Sequence, residues 1–158
     1  ADKAEFGNAA GDRSQGVAVH KSFGSFVAEV VEVSGNGEDG FRIEKVTCAV
    51  DCGIAVNPDV IEAQMEGGIG YGIGHTMRDQ ITLTDGAVDQ YNFPDYEPLR
   101  SGDSARSDVH IVPSAEAPTG VGEPGTPPSA PALANAISAA SSIRVSNLPM
   151  DENGVTWA

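Results

Sequence analysis

The feature that most constrains this chain is a helix signal that carries five glycines. Asn57 has the side chain of an N-cap, Pro58 suits the first helical position, and Asp59 places negative charge at the positive end of the helix dipole. The segment predicts a helix from Pro58 to about Met77, yet Gly67, Gly68, Gly70, Gly72 and Gly74 all fall inside it. Each costs about 1 kcal/mol against alanine in a helix interior. Ala63, Gly67, Gly70 and Gly74 recur at i, i+4, i+7 and i+11, so one face is nearly bare of side chains. Such a face admits very close approach by a strand, another helix or a bound cofactor. A membrane helix pair is excluded, because Glu62, Gln64, Glu66 and His75 interrupt the segment.

The chain before this helix is β-rich. Residues 16–34 hold Val17, Val19, Phe23, Phe26, Val27, Val30, Val31 and Val33, with a break expected at Gly24. Turn residues fill 34–40, and residues 41–50 alternate in character, which predicts a hairpin with a loop of about seven residues. Residues 1–15 are polar and aperiodic and are expected to be a flexible terminus or linker, leaving 16–158 as one unit. After the helix, residues 80–83 and 87–91 flank Asp85-Gly86 as a second hairpin, one helical turn is expected at 96–99, and residues 108–112 form a short strand. Thr126 and Pro127 are expected to open a second helix with an apolar stripe of Ala130, Leu133, Ala134 and Ile137. The tail at 143–158 is expected to be extended. The fold class is α+β, with antiparallel hairpins, a long Gly-rich helix and a second helix after a Gly/Pro-bounded loop.

With 158 residues, 40% of them apolar, the chain can bury one core. Only 6% are aromatic, whereas 19 are Gly and 10 Pro, a balance that suits a piece whose core is completed by other residues. A net charge of −14 without a basic stripe excludes sequence-independent binding to nucleic acid, which requires phosphate neutralisation. No apolar run reaches the roughly 18 residues that a membrane span needs, and the polar opening at 1–13 does not resemble a signal peptide. Cys48 and Cys52 are too few for a zinc or iron–sulfur site, and along an extended strand their Cα atoms would lie roughly 13 Å apart, too far for a disulfide. Both are expected to be buried as small hydrophobes. His20, His75 and His110 have no paired ligand spacing, and no GxSxG motif is present, so neither a metal site nor a nucleophilic triad is expected.

The segment with most chemical content is TGVGEPGTPP at 119–128. It fixes one carboxylate, Glu123, in a stiff bend directly before a helix. Backbone, methyl groups and proline rings would surround it. A general base needs a fixed position and a partly desolvated setting, and this loop offers both. Read without further context, it also fits an ordinary exposed glutamate.

GVGEPGTPPSAPALANAI resembles the motif near the C-terminus of the xanthine dehydrogenase/aldehyde oxidase family of molybdenum hydroxylases, and CAVDCGIAVNPDVIEAQMEGGIGYGIG resembles a second stretch of that family. GVAVHKSFGSFVAEVVEVS and NFPDYEPLR bring the chain nearest to the large, molybdopterin-binding subunit of isoquinoline 1-oxidoreductase-type enzymes. The likeness runs in order through 16–158. It implies that Glu123 is the active-site base of a reaction in which water supplies oxygen to an electron-poor carbon of an aldehyde or N-heterocycle. It also implies a molybdopterin cofactor, in the cytosine dinucleotide form, with Gln64, Gly67, Gly68 and Gly122 against it. The implied partners are the remainder of the molybdopterin-binding subunit and an iron–sulfur subunit whose clusters carry the electrons away. The subgroup leans towards a periplasmic rather than a cytoplasmic setting.

The chain holds neither the preceding segments that make most pterin contacts in that family nor the cysteine motifs of its iron–sulfur subunit. Alone, it is expected neither to hold cofactor tightly nor to turn over. Trp157-Ala158 resembles the end of such subunits, which suggests a C-terminal piece. Two other readings compete: an interaction module that kept the fold and lost the chemistry, and a structural α+β domain whose Glu123 points into bulk water.

Overall fold

The computed structural model describes residues 1–103 and 105–158. Strands β1 (Ser14–Ser22), β2 (Ser25–Asn36) and β3 (Gly40–Asp51) form an antiparallel meander. The expected break at Gly24 is the β1–β2 turn, in which Phe23 and Gly24 both have positive φ (52° and 84°). Two such residues make the turn whose twist matches that of its flanking strands. The β2–β3 connection is three residues, shorter than the seven expected, because both strands run further into the glycine-rich turn. A bulge between Glu32 and Val33, paired with Lys45 and Ile43, leaves Glu44 as the extra residue. It reverses the side-chain parity of β3, so Phe41 and Ile43 on one side of it and Val46, Cys48 and Val50 on the other all reach the core.

A fourth strand, β6 (Arg106–Ile111), joins β3 in parallel, giving the order β1-β2-β3-β6. The strand expected at 108–112 is therefore present but starts earlier, and its parallel pairing makes the first sheet mixed. The second hairpin is short: β4 (Leu83–Thr84) and β5 (Ala87–Val88) flank Asp85-Gly86, again with positive φ at both turn residues (50° and 81°). A 3-10 turn at Phe93–Asp95, capped by the Asn92 side chain, replaces the turn expected at 96–99.

Helix α1 (Pro58–Met77) has the expected bounds, and the Asn57 side chain caps it by accepting from the Val60 amide at 3.3 Å. Ile61, Met65, Ile69, Ile73 and Met77, spaced four apart, form its buried ridge. Helix α2 (Ser129–Ala140) lies on β1 and β2 and buries Ala132, Leu133, Ala136 and Ile137. Its buried stripe is rotated from the expected one, leaving Ala130 and Ala134 half-buried. Gly16 permits this seat: a Cβ there would come 2.2 Å from both the Ala132 carbonyl oxygen and the Ala136 nitrogen. Asn135 adds a bond from its Nδ2 to the Val17 carbonyl at 3.0 Å.

Both termini make defined contacts. Arg13 bridges Glu32 at 2.6 Å and Glu44 at 3.4 Å, while a 3-10 turn spans Asp2–Ala4. In the tail, expected to be extended, a 3-10 turn at Met150–Asn153 buries Met150, and the last residues run beside Phe41, where the Ala158 amide reaches the Phe41 carbonyl at 2.9 Å.

Candidate functional site

The Glu123 loop is held at both ends by different layers of the fold. On its upstream side, the Thr119 amide donates to the Cys52 carbonyl at 2.9 Å and the Gly120 amide to the Phe23 carbonyl at 3.0 Å. The Ser25 hydroxyl donates to the Gly120 carbonyl at 2.6 Å. Gly53 has positive φ (73°), and a Cβ on it would lie 2.2 Å from the Ala117 carbonyl oxygen, so the incoming segment passes over bare backbone. Strand tips and the β3–α1 turn thus seat one end.

The downstream end rests on α1. Gly125 is buried against Met65 and Gly68, and a Cβ at Gly125 would lie 3.0 Å from the Met65 carbonyl oxygen. The Thr126 hydroxyl donates to the Gly68 carbonyl at 3.1 Å, and its amide closes the bend by donating to the Glu123 carbonyl at 3.0 Å. Thr126 therefore does not cap α2, as the sequence suggests. Its hydroxyl is committed to α1, and the helix begins three residues later at Ser129 with no side-chain cap. A Cβ at Gly72 would lie 2.7 Å from both Ser129 Cβ and the Thr126 carbonyl oxygen.

These contacts reassign the glycines of α1. The pair that lets backbone approach closely is Gly68 and Gly72, on the side facing the loop. The face marked by Ala63, Gly67 and Gly70 is open instead, with no neighbouring element within 4 Å of a Cβ placed at Gly67 or Gly70, whereas at Gly74 it closes, a Cβ there standing 3.0 Å from Asp79 Oδ2. That face floors a groove of about 970 Å³ walled by Tyr71, Tyr91, Phe93, Tyr96 and Leu99. Gly67 belongs to its lining, while Gln64, Gly122 and Glu123 do not.

Each residue singled out in the sequence can now be placed. Glu123 is exposed, which corrects the expectation of a carboxylate enclosed by its own loop. Pro124 and Gly125, not Glu123, are the buried residues of the bend, and Gly125 fills the space against α1. Its backbone nevertheless lies beside the glycine-bearing helix. Gln64 is exposed on the first half of α1, and its Nε2 lies 4.0 Å from where a Gly122 Cβ would stand, so these two are neighbours. Gly67 is exposed and unobstructed, whereas Gly68 is covered by Gly125 and Thr126. The structure thus brings Gln64 beside Gly122, the residue preceding Glu123, while Gly67 lies one turn further along α1 in the lining of the neighbouring groove. Cys48 and Cys52 are buried free thiols, and burial pushes the Cys48 thiol well up from its ordinary range.

One residue escaped the sequence reading. Glu29 on β2 is fully buried on the core face, between Val27 and Val31. Its Oε2 is 2.9 Å from the Ser129 hydroxyl, and its Oε1 has no hydrogen-bond partner. Burial pushes its carboxyl up to about 8, against a smaller opposing effect of the Ser129 bond. The signal was available: in Val27-Ala-Glu29-Val-Val31-Glu-Val33, Glu29 falls on the same strand face as three valines.

Comparison with known proteins agrees with this architecture. The chain is 33% identical over 144 residues to isoquinoline 1-oxidoreductase subunit beta of Brevundimonas diminuta, covering 90% of this chain and 18% of that one. An alignment of that extent necessarily contains residue 123. It is 36% identical over 107 residues to the membrane-bound aldehyde dehydrogenase [pyrroloquinoline-quinone] of Gluconacetobacter polyoxogenes, covering 68% of this chain and 14% of the relative. The chain thus spans less than a fifth of the length of either. Quinoline 2-oxidoreductase from Pseudomonas putida 86 shares the fold at a TM-score of 0.67, with 21% identity over 80% of this chain and 17% of that one. The profile described as "Molybdopterin cofactor-binding domain" matches residues 4–105, more than half of the sequence. In keeping with the motifs at 48–74 and 119–136, this chain belongs to the molybdopterin cofactor-binding domain family.

Proposed function

We propose that this chain is the catalytic-base portion of a molybdenum-dependent hydroxylase that oxidises an aldehyde or N-heterocycle with water as the oxygen source, and that Glu123 is the base. The observation that supports this reading is the seating of the Glu123 loop between the strand ends and α1, with Gly122 beside Gln64 and Gly125 against Gly68. A base must be positioned before it can work, and an exposed carboxylate on a doubly anchored bend meets that requirement while staying accessible to a reacting group.

The residues present suit a pterin. Gln64 offers one amide donor pair and one acceptor, the complement of a pterin edge, and Gly67 and Gly122 leave backbone uncovered beside it. When bound, a molybdenum cofactor supplies the two-electron oxidation, and the chemistry assigned to this chain is proton removal at the Glu123 carboxylate. Gln64 and Gly122 orient, and the Thr126–Gly68 bond keeps the bend from shifting along α1. The cytosine dinucleotide form of the cofactor, the iron–sulfur partner subunit and the remaining molybdopterin-binding segments belong to the same proposal. The first two rest on the resemblance of the motifs at 48–74 and 119–136, and the small share of the relatives' length spanned here supports the third.

In the complete enzyme, Glu123→Gln should reduce kcat by at least about 10³-fold, the upper part of the range for loss of a general base, with molybdenum content by mass spectrometry unchanged. Turnover retained in that variant would refute the assignment. A second reading, a non-catalytic module, is favoured by the exposure of Glu123. It expects no aldehyde or heterocycle oxidation with a dye acceptor once the other subunits are supplied. Measuring molybdenum beside pyrroloquinoline quinone in the purified complex separates the cofactor named for the Gluconacetobacter relative from the one proposed here.

A further inference from the structure

Ser129 stands between two oxygens. Its Oγ lies 2.9 Å from Glu29 Oε2 and 3.0 Å from the Gly125 carbonyl oxygen. A hydroxyl has one hydrogen, and a carbonyl oxygen can only accept. If Ser129 donates to Gly125, the bond to Glu29 exists only when the carboxyl itself carries a proton and donates to Ser129. If Glu29 is ionised, it draws the single Ser129 hydrogen and the Gly125 carbonyl loses this donor.

The surroundings favour the first arrangement. Glu29 is fully buried, and among the described residues no cation faces it: β1 presents Ala18 opposite it, β3 presents Cys48, and α2 has no charged residue. Among the described residues, the titratable group facing it is the Cys48 thiol, itself pushed up by burial and by Glu29. A charged carboxylate there would be desolvated without a counter-ion, and one of its oxygens lacks any partner.

We propose that Glu29 is a protonated positioning residue that fixes the Glu123 loop through the chain Glu29 Oε2–H to Ser129 Oγ–H to the Gly125 carbonyl. Gly125 is two residues from Glu123 and packs on Gly68, so this chain ties the loop to the middle of the sheet, independently of the Thr126 bond to α1. Ionisation of Glu29 withdraws that third anchor. The significance of the anchor for catalysis rests on the assignment of Glu123 above, but its existence does not.

The test is carbon-detected NMR of the 158-residue chain with labelled carboxyl and carbonyl carbons. The Glu29 carboxyl carbon should titrate with a midpoint near 8, and the Gly125 carbonyl carbon should move with the same midpoint. Glu29→Gln, whose amide donates to Ser129 at every pH, should abolish the Gly125 movement and keep the Thr126 amide protected from exchange. Glu29→Leu, which cannot draw the Ser129 hydrogen away, should also leave the Gly125 carbon flat with pH, and the wild-type titration stands alone if this variant does not fold. A Glu29 midpoint in the ordinary carboxylate range, or a Gly125 carbon that stays flat while Glu29 titrates, overturns the proposal. Glu123→Gln should leave both titrations intact, so a failed assignment of the base and a failed anchor give different results.

Discussion

Glu29→Gln offers a quantitative check on the buried carboxyl, because its effect on stability must depend on pH in a defined way. In the folded chain the Glu29 midpoint is raised from its ordinary 4.5 to about 8. Between these values the folded state keeps a proton that the unfolded state has released, so stability is fully present below 4.5 and is lost as pH rises towards 8. Each pH unit corresponds to about 1.4 kcal/mol, which gives a total loss of about 5 kcal/mol across the window and about 3 kcal/mol by pH 7. Glutamine keeps the donor to Ser129 and has no charge to desolvate. The variant should therefore match wild type at pH 4 and exceed it by about 3 kcal/mol at pH 7. Urea denaturation of both proteins at pH 4, 5.5, 7 and 8.5 measures this, and titrations elsewhere in the chain cancel in the difference. A stability difference that is the same at pH 4 and pH 8.5 would show that Glu29 is ionised or solvated in the fold and would refute the reasoning.

Other substitutions probe the framework. Gly16→Ala places a methyl 2.2 Å from α2 backbone atoms that cannot move aside; it should cost on the order of 1–3 kcal/mol or more by thermal unfolding. Thr126→Val removes the donor to the Gly68 carbonyl while preserving shape. A loss of about 1 kcal/mol is expected, with faster hydrogen exchange at the Thr126 amide, and unchanged exchange would show that this bond does not seat the loop. Gln64→Ala in the complete enzyme should lower molybdenum retention without changing the circular dichroism of the fold; full retention would remove Gln64 from the cofactor contacts.

Much of the fold was legible because its signals are local. The Asn57-Pro58 start fixes one end of α1, Asp85-Gly86 fixes the second hairpin, and Gly24 marks a turn that side-chain sterics permit at few other positions. What the chain does not announce is anything set by long-range packing. The parallel docking of β6 on β3 joins residues about 60 apart and leaves no short-range trace. Which glycines of α1 meet the loop is likewise silent in the sequence, because periodicity reveals that Gly67 and Gly70 share a face, never what meets it, and the close approach falls at Gly68 and Gly72. Thr126 has the form of a cap yet spends its hydroxyl on a neighbouring helix. The site was legible through its motif and not through its environment: the rigidity of the Glu123 bend follows from Gly and Pro, whereas its exposure depends on what covers it.

The contact of Gly68 with Gly125 has a consequence for redesign. Where two elements meet through main chain alone, no rotamer can absorb a change in spacing, so the separation between loop and helix is set by the thickness of the peptide backbone itself. An exposed side chain beside the seat, such as Glu66 on α1, can therefore be exchanged without shifting it. A single methyl would instead stand 3.2 Å from the Gly125 backbone if placed at position 68, or 3.0 Å from the Met65 carbonyl oxygen if placed at 125, so the main chain itself would have to give.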